Sequence, residues 1–251
     1  MKFIGIIPAR YKSTRFPGKP LALLNRKPVI QWVYENAVKV LNKVWVATDD
    51  DRIFYAVKEF GGNPVKTLST HHSGTDRCAE AALQLSRDND FDVVINIQGD
   101  EPFIRPEQIS GLASSFDKET EIATLIKKIE TTEELFNPNR PKAVIDKNKN
   151  ALYFSRSTIP FVRGETEASW LLAANFWVHI GMYAYKKDVL QQLTRLKPGI
   201  LERAEALEQL RWLENGYRIK TAVTEFQSIG IDTPEDLARA EELLKEAGLD
   251  N

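Results

Sequence analysis

A loop of cationic residues directly follows the first apolar segment of the chain. Its functional groups are Arg10, Lys12, Ser13, Thr14, Arg15, Gly18 and Lys19. No Asp or Glu occurs before Glu35. Guanidinium, ammonium and hydroxyl groups suit a polyanion such as a triphosphate, and a glycine lets the backbone approach such a ligand closely. A solvated basic loop is the alternative, but a loop that follows a buried strand of an α/β sheet usually carries function.

Several common catalytic motifs are absent. Pro20 follows Gly18-Lys19, so the chain has no G-x-x-x-x-G-K-[ST], and it has no G-x-G-x-x-G. It also has no Ser-His-Asp set and no Cys-His pair that would indicate covalent catalysis. The absence of these motifs argues against an ordinary P-loop NTPase and against a typical Rossmann dehydrogenase.

Composition narrows the function classes further. The 251 residues include 34 Lys and Arg against 35 Asp and Glu, a net charge of −1, and this balance argues against a nucleic-acid partner. The single cysteine, Cys78, excludes an internal disulfide and is expected to be a buried thiol. The N-terminal apolar run ends at Pro8, too early for a membrane span or a signal peptide. We therefore expect a cytoplasmic protein with no membrane partner.

The elements that must position the loop alternate between strand and helix patterns. The predicted strands are Phe3–Pro8, Val44–Ala47, Pro64–Leu68, Asp92–Ile97, Ile122–Ile129, Phe176–Tyr185 and Ile219–Val223. The predicted helices are Val29–Val40, Asp50–Phe60, Thr75–Leu85, Pro106–Phe116, Leu201–Leu213 and one that starts at Asp232-Thr233-Pro234. This order predicts an α/β protein with a mainly parallel sheet. We expect one domain over residues 1–251, with an irregular excursion at about 130–190 that includes Phe136–Thr166.

Eight motifs in order carry a family resemblance. They are Ile7–Leu21, His72–Arg77 (H-S-G-T-D-R), Asn96–Pro102 (N-I-Q-G-D-E-P), Phe136–Asn139, Ala151–Arg156, His179–Tyr183, Leu207–Arg211 and Asp232–Leu237. Each motif is weak alone, but the ordered set covers nearly the whole chain. It resembles the 3-deoxy-manno-octulosonate cytidylyltransferases, also called CMP-Kdo synthetases. The resemblance implies a nucleotide-diphosphosugar transferase-like fold, a mixed and mostly parallel sheet flanked by helices.

The resemblance also implies a reaction. Family members join CTP to the sugar acid Kdo for lipopolysaccharide biosynthesis: the anomeric hydroxyl attacks the α-phosphate, CMP-Kdo forms and pyrophosphate leaves. They use Mg²⁺ and are usually homodimers. For assembly, the aromatic residues Phe176, Trp177, Tyr183 and Tyr185 could cover a subunit face or only the core.

The resemblance assigns nucleotide-binding, catalytic and metal-binding roles to individual residues. The implied CTP-binding residues are Arg10, Ser13, Arg15, Lys19, Ser73 and Gly74, the last two at the cytosine ring. The implied catalytic residues are Lys19, Arg15 and Asp100, and the implied metal ligands are Asp100 and Asp232. Asp100 also follows a buried strand, where hard carboxylate oxygens would suit Mg²⁺. Without the resemblance, Asp232 and Ser73 would be interpreted as helix N-caps.

The implied sugar-binding residues are Gln98, Arg156, His179, Tyr183, Tyr185, Glu208 and Gln209. Without the resemblance, His179 would be interpreted as a hydrogen-bonded histidine of a strand, and Glu208 as part of a solvated helix face. Two other functions stay open. One is activation of a different acid with CTP, either a nonulosonic acid or the 8-amino analogue of Kdo. The other is a non-catalytic nucleotide-binding regulator, which would be expected to lack the metal carboxylates.

Overall fold

The computed structural model describes residues 1–13, 15–227 and 229–246. Thr14 of the cationic loop lies outside the described residues. The strands are β1 (Phe3–Ala9), β2 (Leu23–Leu24), β3 (Lys27–Pro28), β4 (Val44–Thr48), β5 (Pro64–Lys66), β6 (Val93–Asn96), β7 (Ile122–Lys128), β8 (Lys142–Ile145), β9 (Ala151–Ser155), β10 (Trp177–Lys186) and β11 (Ile219–Val223). The helices are α1 (Val29–Val38), α2 (Asp51–Glu59), α3 (Gly74–Leu85), α4 (Pro106–Ser114), α5 (Thr132–Phe136), α6 (Trp170–Ala173), α7 (Lys187–Leu193), α8 (Ile200–Glu205), α9 (Gln209–Glu214) and α10 (Pro234–Glu246).

The chain divides into two compact units. The first comprises Met1–Ile109 with the described part of Ser228–Asn251, and the second comprises Ser110–Gln227. The single domain expected over residues 1–251 stays a prediction. Within the described ranges, no helix combines the length and the apolar character needed to cross a bilayer.

The first unit contains a parallel sheet in the order β6-β1-β4-β5. Its central strand β1 is apolar throughout, with Ile4, Ile6 and Ile7 almost fully buried. Such continuous apolar strands need cover on both faces of a sheet, and α1 and α3 both contact β1. Because parallel strands end at the same edge, the loops that follow β1 and β6 begin side by side. The predicted α/β architecture is thereby confirmed for this unit.

The second unit contains a mixed sheet. β7 and β11 are parallel, whereas β7-β10, β10-β8 and β8-β9 are antiparallel pairs. The expectation of an irregular Phe136–Thr166 segment is wrong, because this segment contains the β8-β9 hairpin. Helix α7 was not predicted either. Phe176, Tyr183 and Tyr185 are buried in this unit, so they belong to the core and not to an exposed face.

The predicted helix Leu201–Leu213 is also wrong. It is two helices, α8 and α9, separated at Ala206, whose backbone is left-handed (φ 50°, ψ 48°). Leu207 and Leu210 face the core as expected. In the first unit, Cys78 is a buried free thiol, as predicted.

Candidate active site

A cavity of about 320 Å³ lies in the first unit, where the loops after β1 and β6 begin. Nine residues proposed from the sequence for nucleotide, metal or sugar binding line it: Arg10, Ser13, Arg15, Lys19, Ser73, Gly74, Gln98, Asp100 and Asp232. Lys12 is exposed and is not among the lining residues. The cavity therefore combines four cationic or hydroxyl groups of one loop with two carboxylates from separate segments.

A tight turn gives the cationic loop its shape. The amide of Gly18 donates to the carbonyl of Tyr11 over 2.8 Å, and Gly18 has φ of 76°. A Cβ at Gly18 would lie 2.9 Å from the ring of Tyr11, so both the backbone and the space favour glycine there. The guanidinium of Arg52 lies over the ring of Tyr11, 3.3 Å from the ring centroid. The turn leads into a short 3₁₀ helix that begins with Lys19.

Lys19 is the electrostatic centre of the cavity. Its ammonium contacts a carboxylate oxygen of Asp100 and lies 3.0 Å from Oδ1 of Asp232. Arg15 is also paired with Asp232, at 3.0 Å. Burial alone would lower the pKa of Lys19, but the two carboxylates outweigh it and raise that pKa. Burial would raise the pKa of Asp232, but Lys19 and Arg15 hold it below its usual value. Lys19 is therefore charged and Asp232 ionised at neutral pH.

Asp232 reaches this cavity because the C-terminal segment is anchored in the first unit. The amide of Ile231 donates to the carbonyl of Asp100 over 2.8 Å, and Ile231 packs in an apolar cluster with Leu24. The hydroxyl of Thr233 accepts from the amide of Asp236 at 3.2 Å and so caps the helix start. Thr233, not Asp232, therefore fills the capping role that the sequence alone would give to Asp232. The Asp232 carboxylate points instead to the cations.

The carboxylate pair fits a magnesium ion. Asp100 and Asp232 converge on one cationic group, Lys19, and their hard oxygens are the donors that Mg²⁺ prefers. Among the described residues, no cluster of three or more His, Cys, Asp or Glu is arranged to hold a metal. Mg²⁺ commonly takes only one or two protein carboxylates, with phosphate and water completing its shell. The residues present therefore match a metal shared with a triphosphate.

Ser73 serves as a helix cap at the cavity wall. Its Oγ accepts from the amide of Asp76 at 3.1 Å, and its own amide donates to the Asp76 carboxylate at 3.2 Å. This reciprocal pair is a capping box for α3, so the capping interpretation of Ser73 is correct. Ser73 and Gly74 also line the cavity. The role of these two residues in reading the cytosine ring stays a prediction.

Replacing Gly74 with Val is expected to raise KM for CTP about tenfold. A Cβ at Gly74 would lie 3.2 Å from Cγ of Pro8, which also lines the cavity, so the valine methyls would crowd the space assigned to the base. Metal binding should not change. Gly111→Val is the matched control, because it places valine in helix α4 with nothing within 4 Å of the new Cβ. An unchanged KM for CTP in Gly74→Val would mean that the base is read elsewhere.

The structure adds cavity residues to which the sequence analysis assigned no role. Arg77 is buried, lies 2.9 Å from the carboxylate of Asp49 and donates to the hydroxyl of Thr67 over 2.6 Å. His71 also lines the cavity and lies 2.5 Å from the carboxylate of Glu80. Helical spacing could have identified Arg77, because it lies one turn after Ser73 and so on the same face of α3.

The other proposed sugar-binding residues lie in the second unit. His179, Tyr183 and Tyr185 are on β10, with ring centroids 5.3 Å apart for His179 and Tyr183. Tyr183 and Tyr185 both pack edge-on against Trp212 of α9. Burial raises the pKa of Tyr183 well above its usual value, and the charge of Glu208 acts in the same direction. Glu208 immediately precedes α9, and its charge acts on Tyr183, so Glu208 lies near these rings. The buried Gln209 is the first residue of α9.

His179 is neutral and hydrogen-bonded. Its Nε2 lies 3.0 Å from the hydroxyl oxygen of Thr124, which also lies 2.8 Å from the carbonyl oxygen of Met182 and 3.3 Å from that of Ile180. The tautomer of the ring decides whether Nε2 donates to Thr124 or accepts from it. Burial lowers the pKa of His179 to about 3, so the ring stays uncharged at neutral pH although part of the residue is exposed.

The free energy of unfolding should fall as the pH falls from 6.5 towards 3. In this window the unfolded chain protonates His179 near its ordinary pKa of 6.5, but the folded chain does not. The expected loss is up to about 1.4 kcal/mol per pH unit from this group. Urea unfolding at pH 7 and pH 5 measures it. His179→Gln should flatten the slope, whereas the exposed His72→Gln should keep it; equal slopes in all three proteins would contradict the assignment.

Comparisons with known proteins identify relatives of this chain. A family model described as cytidylyltransferase matches residues 4–221. The chain is 57% identical over 245 residues to a 3-deoxy-manno-octulosonate cytidylyltransferase of Parabacteroides distasonis, covering 96% of this chain and 97% of that protein. It is 56% identical over 250 residues to the protein of the same name from Bacteroides thetaiotaomicron, covering 98% and 99%. A solved CMP:2-keto-3-deoxy-manno-octonic acid synthetase, complexed with CTP, superposes with a TM-score of 0.90 at 40% identity, covering 98% of this chain and all of that one.

Proposed function

Because the chain belongs to the 3-deoxy-manno-octulosonate cytidylyltransferase family, we propose that it transfers the cytidylyl group of CTP to Kdo, releasing pyrophosphate. One observation carries the proposal: a single cavity joins the cationic loop after β1 to the carboxylates of Asp100 and Asp232. Cations suit the triphosphate, and the carboxylates suit its metal. A non-catalytic nucleotide-binding protein would need no such carboxylate pair.

The residues of the first unit are proposed to bind and orient CTP. Arg10 and Arg15 are exposed at the cavity and can grip phosphate oxygens through paired N–H groups. Lys19 is proposed to stabilise the charge that develops as pyrophosphate leaves. Asp100 and Asp232 would hold Mg²⁺, which when bound neutralises phosphate oxygens and aligns the triphosphate. Ser73 and Gly74 are proposed to lie against the cytosine, and Gln98 to contact the sugar acid.

The cluster in the second unit is proposed to bind the hydroxyl groups of the sugar acid. It offers polar groups beside aromatic rings: His179 has a second ring nitrogen besides the one that faces Thr124, and Nε2 of Gln209 is buried without a hydrogen-bond partner among the described residues. Buried polar groups without partners are costly unless a ligand supplies them. A polyhydroxylated acid has the groups to do so.

Pyrophosphate release with CTP and Mg²⁺ tests the proposal. Initial rates should be highest with Kdo and much lower with a nonulosonic acid. Rates measured with Kdo and with its 8-amino analogue show which of these two closely related acids the enzyme prefers. Replacing CTP by UTP, ATP or GTP should abolish most of the rate, because a pocket that pairs with a base edge rejects mismatched donors and acceptors. Equal use of ATP, or a preference for the nonulosonic acid, would overturn this function.

We also propose that the protein acts in the cytoplasm as a homodimer. In the second unit, Phe161 and Leu172 are 74% and 91% exposed, and large exposed apolar side chains often lie at subunit contacts. Light scattering should then give twice the chain mass of 28.5 kDa. A mass equal to one chain at micromolar concentration would contradict the dimer.

A further inference from the structure

The break between α8 and α9 requires a cause outside the helices. The segment Leu201–Leu213 has a helical pattern throughout, yet Ala206 adopts the left-handed conformation with φ of 50°. That conformation is unfavourable for a residue with a Cβ and persists only where the surroundings hold it. Glu208 and Gln209 follow after one intervening residue, Leu207. Whatever holds Ala206 therefore also decides where these two side chains lie.

The side chain of Arg156 holds the end of α8. Its Nε donates to the carbonyl of Glu205 over 2.6 Å, and one terminal nitrogen lies 3.3 Å from the carbonyl of Ala206. Its other terminal nitrogen donates to the carbonyl of Pro138 at 3.1 Å. Carbonyls at a helix C-terminus lack partners within the helix and favour a cation. All three nitrogens of Arg156 are thus engaged by backbone oxygens.

Hydrogen bonds to the Glu205 carboxylate connect the same end of α8 to strand β9. Its carboxylate accepts from the hydroxyl of Ser155 at 2.6 Å and from the amide of Arg156 at 2.8 Å. The fully buried ammonium of Lys142 donates to the carbonyls of Arg156 at 2.8 Å and Asn137 at 2.9 Å. Burial lowers the pKa of Lys142, and the nearby charge of Glu205 opposes that fall. Lys142 and Ser155 are buried and the other members are partly exposed, and the shared hydrogen bonds hold these groups together.

We propose that Lys142, Arg156 and Glu205 form a positioning cluster that sets Glu208 and Gln209 for the sugar acid. Arg156 then acts through the backbone at Glu205 and Ala206 instead of touching the sugar. This inference rests on the proposed function, because it assigns the cluster to the sugar-acid step. It adds Glu205 and Lys142 to the residues on which recognition of the acid depends.

The test compares Glu205→Gln with Glu202→Gln. Glu202 lies on the same helix and joins α8 to α9 through Arg211, at 2.6 and 2.7 Å, without contacting the break. Glu205→Gln should raise KM for Kdo about tenfold or more and leave KM for CTP within about twofold, because small misplacements of positioning groups are costly. Amide exchange in Leu207–Arg211 should accelerate. Glu202→Gln should lower thermal stability and leave KM for Kdo unchanged.

Ser155→Ala gives a milder second variant, since it removes one donor to Glu205 and no charge. It should raise KM for Kdo in the same direction and to a smaller extent. The proposal is overturned if both variants keep the wild-type KM for Kdo, or if KM for Kdo and for CTP rise equally. A wild-type protein that does not use Kdo would instead refute the proposed function, and the exchange rates of Leu207–Arg211 would still decide whether the cluster holds this segment.

Discussion

Replacing Asp100 with Asn is expected to lower kcat by about 10³-fold or more and to leave the fold intact. The substitution keeps the size of the side chain but removes a charge that is proposed to hold Mg²⁺ against the triphosphate. Loss of a metal carboxylate should cost several kcal/mol of transition-state stabilisation. Asp100 lies in a loop beyond the carboxyl end of β6 and is partly exposed, so its removal should not disturb the core. Steady-state rates at saturating Mg²⁺ measure the effect.

Asp92→Asn is the matched control for this change. Asp92 precedes the same strand, where its carboxylate accepts from the amide of Lys2 at 2.7 Å. It is exposed, and it is not among the residues that line the cavity. Its substitution should leave kcat within about twofold. Near-normal turnover of Asp100→Asn at saturating Mg²⁺ would show that Asp100 is not a metal ligand.

Replacing Lys19 with Ala is expected to lower kcat by about 10² to 10³-fold, a larger effect than its increase in KM for CTP. The ammonium is proposed to stabilise charge that appears only as pyrophosphate departs, so it should affect the transition state more than substrate binding. Its loss also leaves Asp100 and Asp232 without the cation that both contact. Asp232 would keep its ion pair with Arg15, at 3.0 Å. Full kinetics with varied CTP separate the two parameters.

Lys12→Ala provides the control within the same loop. Lys12 has the same side chain as Lys19, but it is exposed and does not line the cavity. Its substitution should change neither kcat nor KM by more than about twofold. If Lys19→Ala raises only KM, then Lys19 is a uniform binding contact and its catalytic role is wrong.

The strands of the first unit could be predicted from the sequence because burial on both faces makes them continuously apolar. Helix starts were also visible where capping residues are local, as at Ser73. The β8-β9 hairpin was not predicted although its strands, KAVI and ALYFS, are mostly apolar, because these short strands lie in a segment that is otherwise rich in Pro, Asn, Lys and Arg. The break at Ala206 was missed for a different reason. It depends on Arg156, about fifty residues away, and leaves no local signal in a helical pattern.

The candidate site was predictable to different degrees. The cationic loop and Asp100 follow buried strands, so their position at a sheet edge could be inferred from the order of elements. Asp232 could be placed near them only through the family resemblance, because the local pattern indicates a helix cap. The contact that positions it, from the amide of Ile231 to the carbonyl of Asp100, joins segments about 130 residues apart.

Phosphorus NMR of one reaction mixture tests the central claim most directly. The mixture contains the protein, CTP, Kdo and MgCl₂, and omission of Kdo provides the control. The account predicts that the CTP resonances disappear as pyrophosphate and one new phosphodiester, CMP-Kdo, appear in equal amounts, and only when Kdo is present. Formation of CDP and inorganic phosphate, or of CMP and pyrophosphate without Kdo, would contradict transfer of the cytidylyl group to the sugar acid.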